Sequence, residues 1–261
     1  MKNNYLVFII AFLLIIAIYF TGSRNIFLGP IVERDNSGLY VLDKYGGVFV
    51  SGGAAFMGDM NFDDPKAVDI EAAYNGYYIL EKSGKVFEFG ETEFFGDADL
   101  KNAVDLELAG NGYYVLDKNG LVLEYGFIKH YGNGKFDDYV DIEAVDGGYY
   151  LLSKNGKVEA FGNARFYGDL DNIDAIALAI TKNGYYILES NGVVHPFGNA
   201  KDFGFELLDK KSAADIEVIP NDKGYYVLDS YGPAYSFFAS AGFPGPEFSE
   251  EARYIDIELI S

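Results

Sequence analysis

Apolar and polar residues alternate along short stretches of this chain, in the pattern of β-strands. In one representative segment, Val104–Leu108 alternates apolar and acidic residues with a period of two, and Ala109–Gly112 reads as a turn. Tyr113–Asp117 is apolar on both faces, which predicts a buried strand, and Asp117–Gly120 has the composition of a hairpin loop. Leu121–Tyr125 follows as a third strand. The segment therefore predicts three antiparallel strands, and the short aromatic stretch that ends at Gly132 is a candidate for a fourth, outer strand.

This unit occurs six times in tandem, about 36 to 40 residues apart. Its most regular part is a Gly-Tyr-Tyr-like strand, found at Gly38–Asp43, Gly76–Glu81, Gly112–Asp117, Gly148–Ser153, Gly184–Glu189 and Gly224–Asp229. Glycines also recur at fixed offsets after each copy, which marks turns with special backbone angles. Tandem units of three or four short strands form either a β-propeller or a β-solenoid.

The two ends of the repeat region favour a closed ring. Tyr254–Leu259 copies the opening strand of a unit, such as Val68–Glu71, and the rest of the unit does not follow it. A closed ring can use this strand to complete the first blade and to remove an exposed edge, whereas a solenoid has no use for it. Residues 31–261 are therefore predicted to form an all-β, six-bladed β-propeller whose first blade combines both ends of the domain.

The stretch Gly148–Gly168, GYYLLSKNGKVEAFGNARFYG, resembles a bacterial extracellular repeat that reads roughly GYWLVASDGGVFAFGDAxFYG. That family looks like propeller blades and occurs in envelope-anchored and secreted proteins, often beside catalytic domains. The resemblance covers residues 31–261 and implies a binding or spacer module. This chain differs in having Tyr where the pattern has Trp, and no attached catalytic domain is expected. A looser resemblance, through G-x-V-x-x-F-G, links it to the regulator-of-chromosome-condensation repeat, which is also a propeller.

An unbroken apolar run, Tyr5–Phe20, precedes the repeats. As a helix its sixteen residues would span about 24 Å, and residues 5–22 about 27 Å, close to the thickness of a bilayer core. We expect residues 1–24 to be a single-pass membrane anchor and 25–30 a connector, with the acidic domain outside the cytoplasm. The alternative is a signal peptide cleaved near Thr21–Ser23, which would make the protein secreted.

The chain has a formal net charge of -20 and no cysteine. Such acidity repels phosphate backbones and anionic lipid headgroups, so nucleic acid is not expected as a partner. It suits a soluble exposed domain, a cationic partner or bound divalent cations. The lack of cysteine excludes disulfides, thiolate metal sites and cysteine nucleophiles.

The opening strands carry a recurrent Asp-x-Glu pair, and residues two apart on a strand share a face. If these strands are innermost, the carboxylates surround the channel of the ring, where they could hold Ca²⁺ or a polyamine-like cation, or raise one another's pKa values. The alternative is that they bond turn amides or face water. The candidate metal residues are Asp69, Glu71, Asp105, Glu107, Asp141, Glu143, Asp215, Glu217, Asp256 and Glu258.

Catalytic signatures are scarce in the sequence. His130 and His195 lie in different units at different offsets, and no G-x-S-x-G elbow, phosphate loop or H-E-x-x-H motif occurs. Paired-carboxylate glycosidase chemistry stays open, because acidic residues are abundant. We therefore expect a binding or scaffold module for protein or envelope polysaccharide at the loop face of the ring. The alternatives are an exported hydrolase acting on envelope carbohydrate and an accessory subunit of a membrane complex.

Tyrosines outside the repeat pattern are candidates for an aromatic rim that would contact a carbohydrate or peptide ligand. They are Tyr45, Tyr74, Tyr139 and Tyr231. The paired tyrosines of each unit are instead expected to pack between blades.

Overall fold

A computed structural model describes residues 37–205, 207–208, 212–237, 244–251 and 253–260. The predicted anchor (1–24) and connector (25–30), and the predicted start of the propeller at residue 31, lie outside these ranges. Within the described residues, no helix is long and apolar enough to cross a membrane.

The described residues form β-strands joined by turns and loops, as the alternating pattern predicts. In chain order the strands are β1 (Gly38–Asp43), β2 (Val48–Gly52), β3 (Ala67–Ala73), β4 (Gly76–Glu81), β5 (Val86–Gly90), β6 (Ala103–Leu108), β7 (Gly112–Asp117), β8 (Val122–Gly126), β9 (Tyr139–Val145), β10 (Gly148–Ser153), β11 (Val158–Gly162), β12 (Ala175–Thr181), β13 (Gly184–Glu189), β14 (Val194–Gly198), β15 (Ala213–Ile219), β16 (Gly224–Asp229), β17 (Ala234–Phe237) and β18 (Tyr254–Ile260).

In the described part of the chain these strands make six antiparallel sheets of three strands, here called blades. Blades 2 to 6 each take three consecutive strands, beginning with β3, β6, β9, β12 and β15. Blade 1 has the order β18-β1-β2, so its first strand comes from the C-terminal end, with Gly38 opposite Ile260. The blade count and the closure by the last strand are thus confirmed. The suggested fourth strand is wrong for the representative unit: residues 127–138 form no strand and run as a loop to the next blade.

The first strands of all blades line the centre of the domain. Each contacts the first strand of the next blade, from β3 through β6, β9, β12 and β15 to β18, and β18 contacts β3 in turn. The six strands therefore close a ring. The noncovalent joint of this ring is the pairing of β18 with β1.

A one-residue register shift occurs near the start of every first strand, as between Ala67 and Asp69 in β3 and between Ala103 and Asp105 in β6. The extra residue is Val68 in the first case and Val104 in the second. Such a β-bulge bends and twists the strand locally. Beyond it, the Asp and Glu of each pair lie towards the ring axis, while the residue between them, for example Ile70, is fully buried.

Paired tyrosines hold neighbouring blades together. The second tyrosine of one blade contacts the first of the next at ring-centroid distances of 4.7 to 5.5 Å in tilted or edge-on orientations that aromatic rings favour. The pairs are Tyr40–Tyr77, Tyr78–Tyr113, Tyr114–Tyr149, Tyr150–Tyr185 and Tyr186–Tyr225. Between blades 6 and 1, Tyr226 packs in a cluster with Leu39 instead. The expectation that these tyrosines pack between blades is confirmed.

Two glycines of the representative unit show why the glycine pattern repeats. Gly120 has φ +84° in the β7–β8 turn, a conformation that side-chain-bearing residues rarely adopt. Gly126 has φ +92°, and a Cβ there would lie 2.3 Å from the carbonyl oxygen of Asn111. The turn and the strand end therefore both require glycine.

Candidate functional site

A channel lined by carboxylates runs along the ring axis. Five blades each contribute an Asp to one tier and a Glu to the next. The constriction of the channel that these ten side chains line has a volume of about 50 Å³. The Asp belt consists of Asp69, Asp105, Asp141, Asp215 and Asp256, and the Glu ring of Glu71, Glu107, Glu143, Glu217 and Glu258. All ten predicted site residues are thus brought together, as the innermost placement of these strands requires. Among the described residues that line this constriction, none is basic.

The Asp belt bridges neighbouring blades. The Oδ2 of Asp105 accepts a hydrogen bond of 2.7 Å from the backbone N–H of Ile142 in the next blade, and Asp141 accepts one of 2.6 Å from Leu178. The remaining bridges are Asp69 to Leu106 (3.2 Å), Asp215 to Ile257 (3.1 Å) and Asp256 to Ile70 (2.6 Å). Each donor follows the belt position of its own blade by one residue, so every bridge repeats the same geometry. Hydrogen bonds to a charged acceptor are among the stronger ones in proteins.

Part of the Glu ring repeats this arrangement one tier further along. Glu71 accepts a bond of 3.1 Å from Leu108 N–H, and Glu107 accepts one of 2.9 Å from Ala144 N–H. These side chains are half-buried, since they line the opening of the channel. The carboxylates therefore accept hydrogen bonds from backbone amides, as the alternative to a cation site predicts in part. The amides belong to the first strand of the next blade and not to turns.

Burial raises the pKa of carboxyl groups in both tiers. It raises the pKa of Asp105 to about 7, partly offset by the hydrogen bond from Ile142 N–H, and that of Glu217 to about 8, with the Asp256 charge adding to the effect. Burial, with repulsion from neighbouring carboxylates, raises the pKa well above the usual range for the other shifted members, which are Asp69, Glu71, Glu107, Asp141, Glu143, Asp215 and Glu258.

Blade 5 interrupts both tiers. Ala177 occupies the belt position and Ala179 the ring position, so Ala177 has no oxygen to offer Ile216 N–H of blade 6. On the side of the Glu ring, here called the Glu mouth, the channel widens into a cavity of about 500 Å³. Its wall includes Ala179, Lys182 and the β15–β16 turn residues 220–222, together with all five members of the Glu ring. The Glu mouth is therefore asymmetric.

The opposite opening, here called the Asp mouth, is mainly apolar. A depression of about 390 Å³ lies there, lined by the bulge residues Val68 and Val104 together with Val140 and Ile255. Lys82 and Lys118 stand at its edge. Lys118 forms an ion pair of 2.7 Å with Asp138, so this edge carries mixed charge.

Only the sequence pattern supports metal binding by the ten carboxylates. Within the described ranges, no group of three or more His, Asp or Glu side chains has an arrangement that could hold a metal ion. The members of the Asp belt use an oxygen to accept an interblade hydrogen bond. The calcium expectation stays a prediction.

The tyrosines proposed as a rim have different positions. Tyr74 is 99% exposed at the β3–β4 turn, beside a groove of about 450 Å³ that Met57 and Ile260 also line. Tyr139 is only 1% exposed and its hydroxyl donates a hydrogen bond to the Glu159 carboxylate, so its assignment to a rim is wrong. It fills the place where blades 2, 3, 5 and 6 have alanine, and only the packing shows that the larger side chain is buried there.

Comparisons with known proteins identify the fold. No family model matches the chain, and no curated protein matches it. It is similar to a structure described as a nidogen/laminin complex, at 12% identity and a TM-score of 0.59 over 85% of this chain and 98% of that one. It is also similar to the computationally designed Ika8 protein, at 12% identity and a TM-score of 0.50 over 84% of this chain and 77% of that one. With the six sheets around a closed ring, these similarities support a β-propeller fold.

Proposed function

We propose that this chain is a binding module of the cell envelope that takes its ligand at the Glu mouth. Residues 5–22 would hold it in the membrane, with the propeller outside the cytoplasm. The ligand would be a protein or an envelope polysaccharide that presents an amine or guanidinium group. A propeller-like fold is well suited to a binding or scaffold role, because loops from every blade meet at one face.

One observation carries the proposal: a cavity of about 500 Å³ opens at the ring axis with five glutamates on its wall and Lys182 as its basic residue among those described. Its size falls in the range of ligand sites, and a cation bound there would favour the charged form of the surrounding carboxyl groups. Ala179, Val218 and Ile219 provide apolar surface beside the glutamates. An extended cationic group, such as a lysine side chain or an amino sugar, could use both kinds of contact.

The repetition of the carboxylates favours binding over hydrolysis. Glycosidases use one pair of carboxyl groups in distinct roles. Here the raised pKa values extend around five blades, from Asp69 and Glu71 to Glu258. A repeated set of this kind is suited to attracting positive charge, which is a property of the whole ring.

The test is capture of envelope material by the full chain in mild detergent. The variant Glu107→Gln/Glu143→Gln keeps the side-chain size and removes two ionisable carboxyl groups from the Glu mouth. We expect its retention of the ligand at 0.15 M salt to fall about tenfold, equivalent to ~1.4 kcal/mol, and wild-type retention to weaken further as salt rises. The matched control is Glu88→Gln/Glu93→Gln, which removes two exposed charges elsewhere.

Equal retention by both double variants would contradict the assignment of the site to the Glu mouth. Adding a chelator to a second wild-type sample tests the calcium expectation separately. Turnover of captured polysaccharide would favour the exported hydrolase. Recovery of integral membrane proteins that survives both substitutions would favour the accessory-subunit alternative.

A further inference from the structure

The five members of the Asp belt form a continuous arc. Around the ring the members follow one another in the order Asp215, Asp256, Asp69, Asp105 and Asp141, and all five line the same constriction of about 50 Å³. The arc is broken at Ala177 in blade 5. Two carboxylates can share a hydrogen bond only if a proton lies between them, and close pairs of this kind resist double ionisation.

The same carboxyl groups join the blades through their bonds to backbone amides. Blades 2, 3, 4, 6 and 1 each hold the next blade in this way. The belt therefore contributes both attraction and repulsion to the same joints. Bonds to the amides persist in either protonation state, because a neutral carboxyl still offers its carbonyl oxygen. The repulsion grows with each proton lost.

Among the described residues, no basic side chain lines the constriction that holds the belt. The titratable groups that face the constriction come from five of the six first strands, one Asp and one Glu from each. They are Asp69 and Glu71 on β3, Asp105 and Glu107 on β6, Asp141 and Glu143 on β9, Asp215 and Glu217 on β15, and Asp256 and Glu258 on β18. The sixth strand, β12, has Ala177 and Ala179 at these positions. Lys182 and Asp222 line the cavity of the Glu mouth, and Lys82 and Lys118 line the depression of the Asp mouth.

We propose that the Asp belt makes closure of the ring depend on protonation, so that the six blades are held most firmly in acid and loosen as the belt ionises. This device is a property of the fold and does not rest on the proposed ligand. It would couple the stability of the propeller, and the shape of its axial channel, to the pH outside the cytoplasm.

The direction of the effect follows from proton linkage. A carboxyl group with a raised pKa binds more protons in the folded than in the unfolded chain, so its contribution is fully present below the unfolded value of about 4. That contribution is lost as the pH rises through the folded values, about 7 for Asp105 and about 8 for Glu217. We therefore expect the Tm of the full chain in mild detergent, measured with chelator present, to fall on the order of 10 °C between pH 5 and pH 8.

The gap in blade 5 supplies the decisive pair of variants. Ala177→Asn adds an acceptor for Ile216 N–H without charge, whereas Ala177→Asp adds the same acceptor with a sixth ionisable group. We expect the two variants to have similar Tm values at pH 5 and the Asp variant to be about 3–5 °C lower at pH 8. Asp105→Asn should flatten the wild-type profile, while Asp137→Asn, which removes an exposed charge, should leave it parallel to wild type.

Two results would overturn the proposal. One is a wild-type Tm that stays constant or rises from pH 5 to pH 8. The other is equal Tm values at pH 8 for Ala177→Asn and Ala177→Asp. If Asp105→Asn does not fold, the Ala177 pair decides on its own. Folding of Ala177→Asp at pH 5 but not at pH 8 would support the proposal.

Discussion

Single residues explain the recurrence of Tyr-Tyr. The two side chains of each pair lie on opposite faces of the middle strand, and their hydroxyls reach different loops. Tyr113 donates to the carbonyl of Gly96 at 2.5 Å and accepts from its N–H at 3.0 Å, which ties blade 3 to the loop leaving blade 2. Tyr114 donates to the carbonyl of Lys129 at 2.7 Å within its own unit. Each pair therefore fixes one loop on either side.

At this scale we expect Tyr113→Phe to destabilise the protein by about 1–2 kcal/mol, since it leaves the partly buried peptide groups of Gly96 without their partner. Urea unfolding measures the change. Tyr74→Phe is the matched control, because the Tyr74 side chain is fully exposed and should contribute less than about 0.5 kcal/mol. Equal effects at the two positions would contradict the role given to the buried hydroxyl.

At the scale of elements, the last strand is the most consequential. β18 supplies the inner strand of blade 1, and Ile257 on it is fully buried in a cluster with Val41 and Leu228. Arg253, just before it, forms an ion pair with the buried carboxylate of Asp43, whose other oxygen accepts bonds from the turn amides of Tyr45 and Gly47. The closure thus combines strand pairing, apolar packing and a charged contact.

We expect Ile257→Ala to cost about 2–5 kcal/mol, as for other large-to-small changes in a core. Ile255→Ala lies on the same strand at its bulge, where the side chain is partly exposed, and should cost less than half as much. The comparison uses chemical denaturation of both variants. Similar small losses would mean that β18 contributes little to the core and that the ring is open.

For the whole molecule, closure brings the two ends of the described domain together, since Gly38 lies opposite Ile260. The hydrogen bonds that the belt carboxyl groups accept from amides of the next blade all run in one direction around the ring, with one gap at Ala177 in blade 5.

A circular permutant tests this description. Joining residue 260 to residue 37 with a short Gly/Ser linker and opening the chain between the exposed Asp63 and Asp64 should give a protein whose Tm lies within a few degrees of the unpermuted domain, because loop connections cost little. Opening the chain between Tyr114 and Val115, inside a buried strand, should prevent folding. Failure of the first permutant to fold would contradict the adjacency of the ends.

The sequence by itself determined the number of blades, three of the strands in each unit and the strand that closes the ring, because these features depend on local periodicity and on repetition along the chain. It left a fourth, outer strand open, and only the structure shows that residues 127–138 form a loop. The sequence also located Asp105 and Glu107 on one face, since residues two apart on a strand must share it. It could not show that the Asp105 carboxyl accepts from Ile142 N–H, that Tyr139 is buried, or that Ala179 lines a cavity at the Glu mouth. Those facts depend on which atoms of different blades meet, and only tertiary structure brings atoms 37 residues apart into contact and removes water from between their charges.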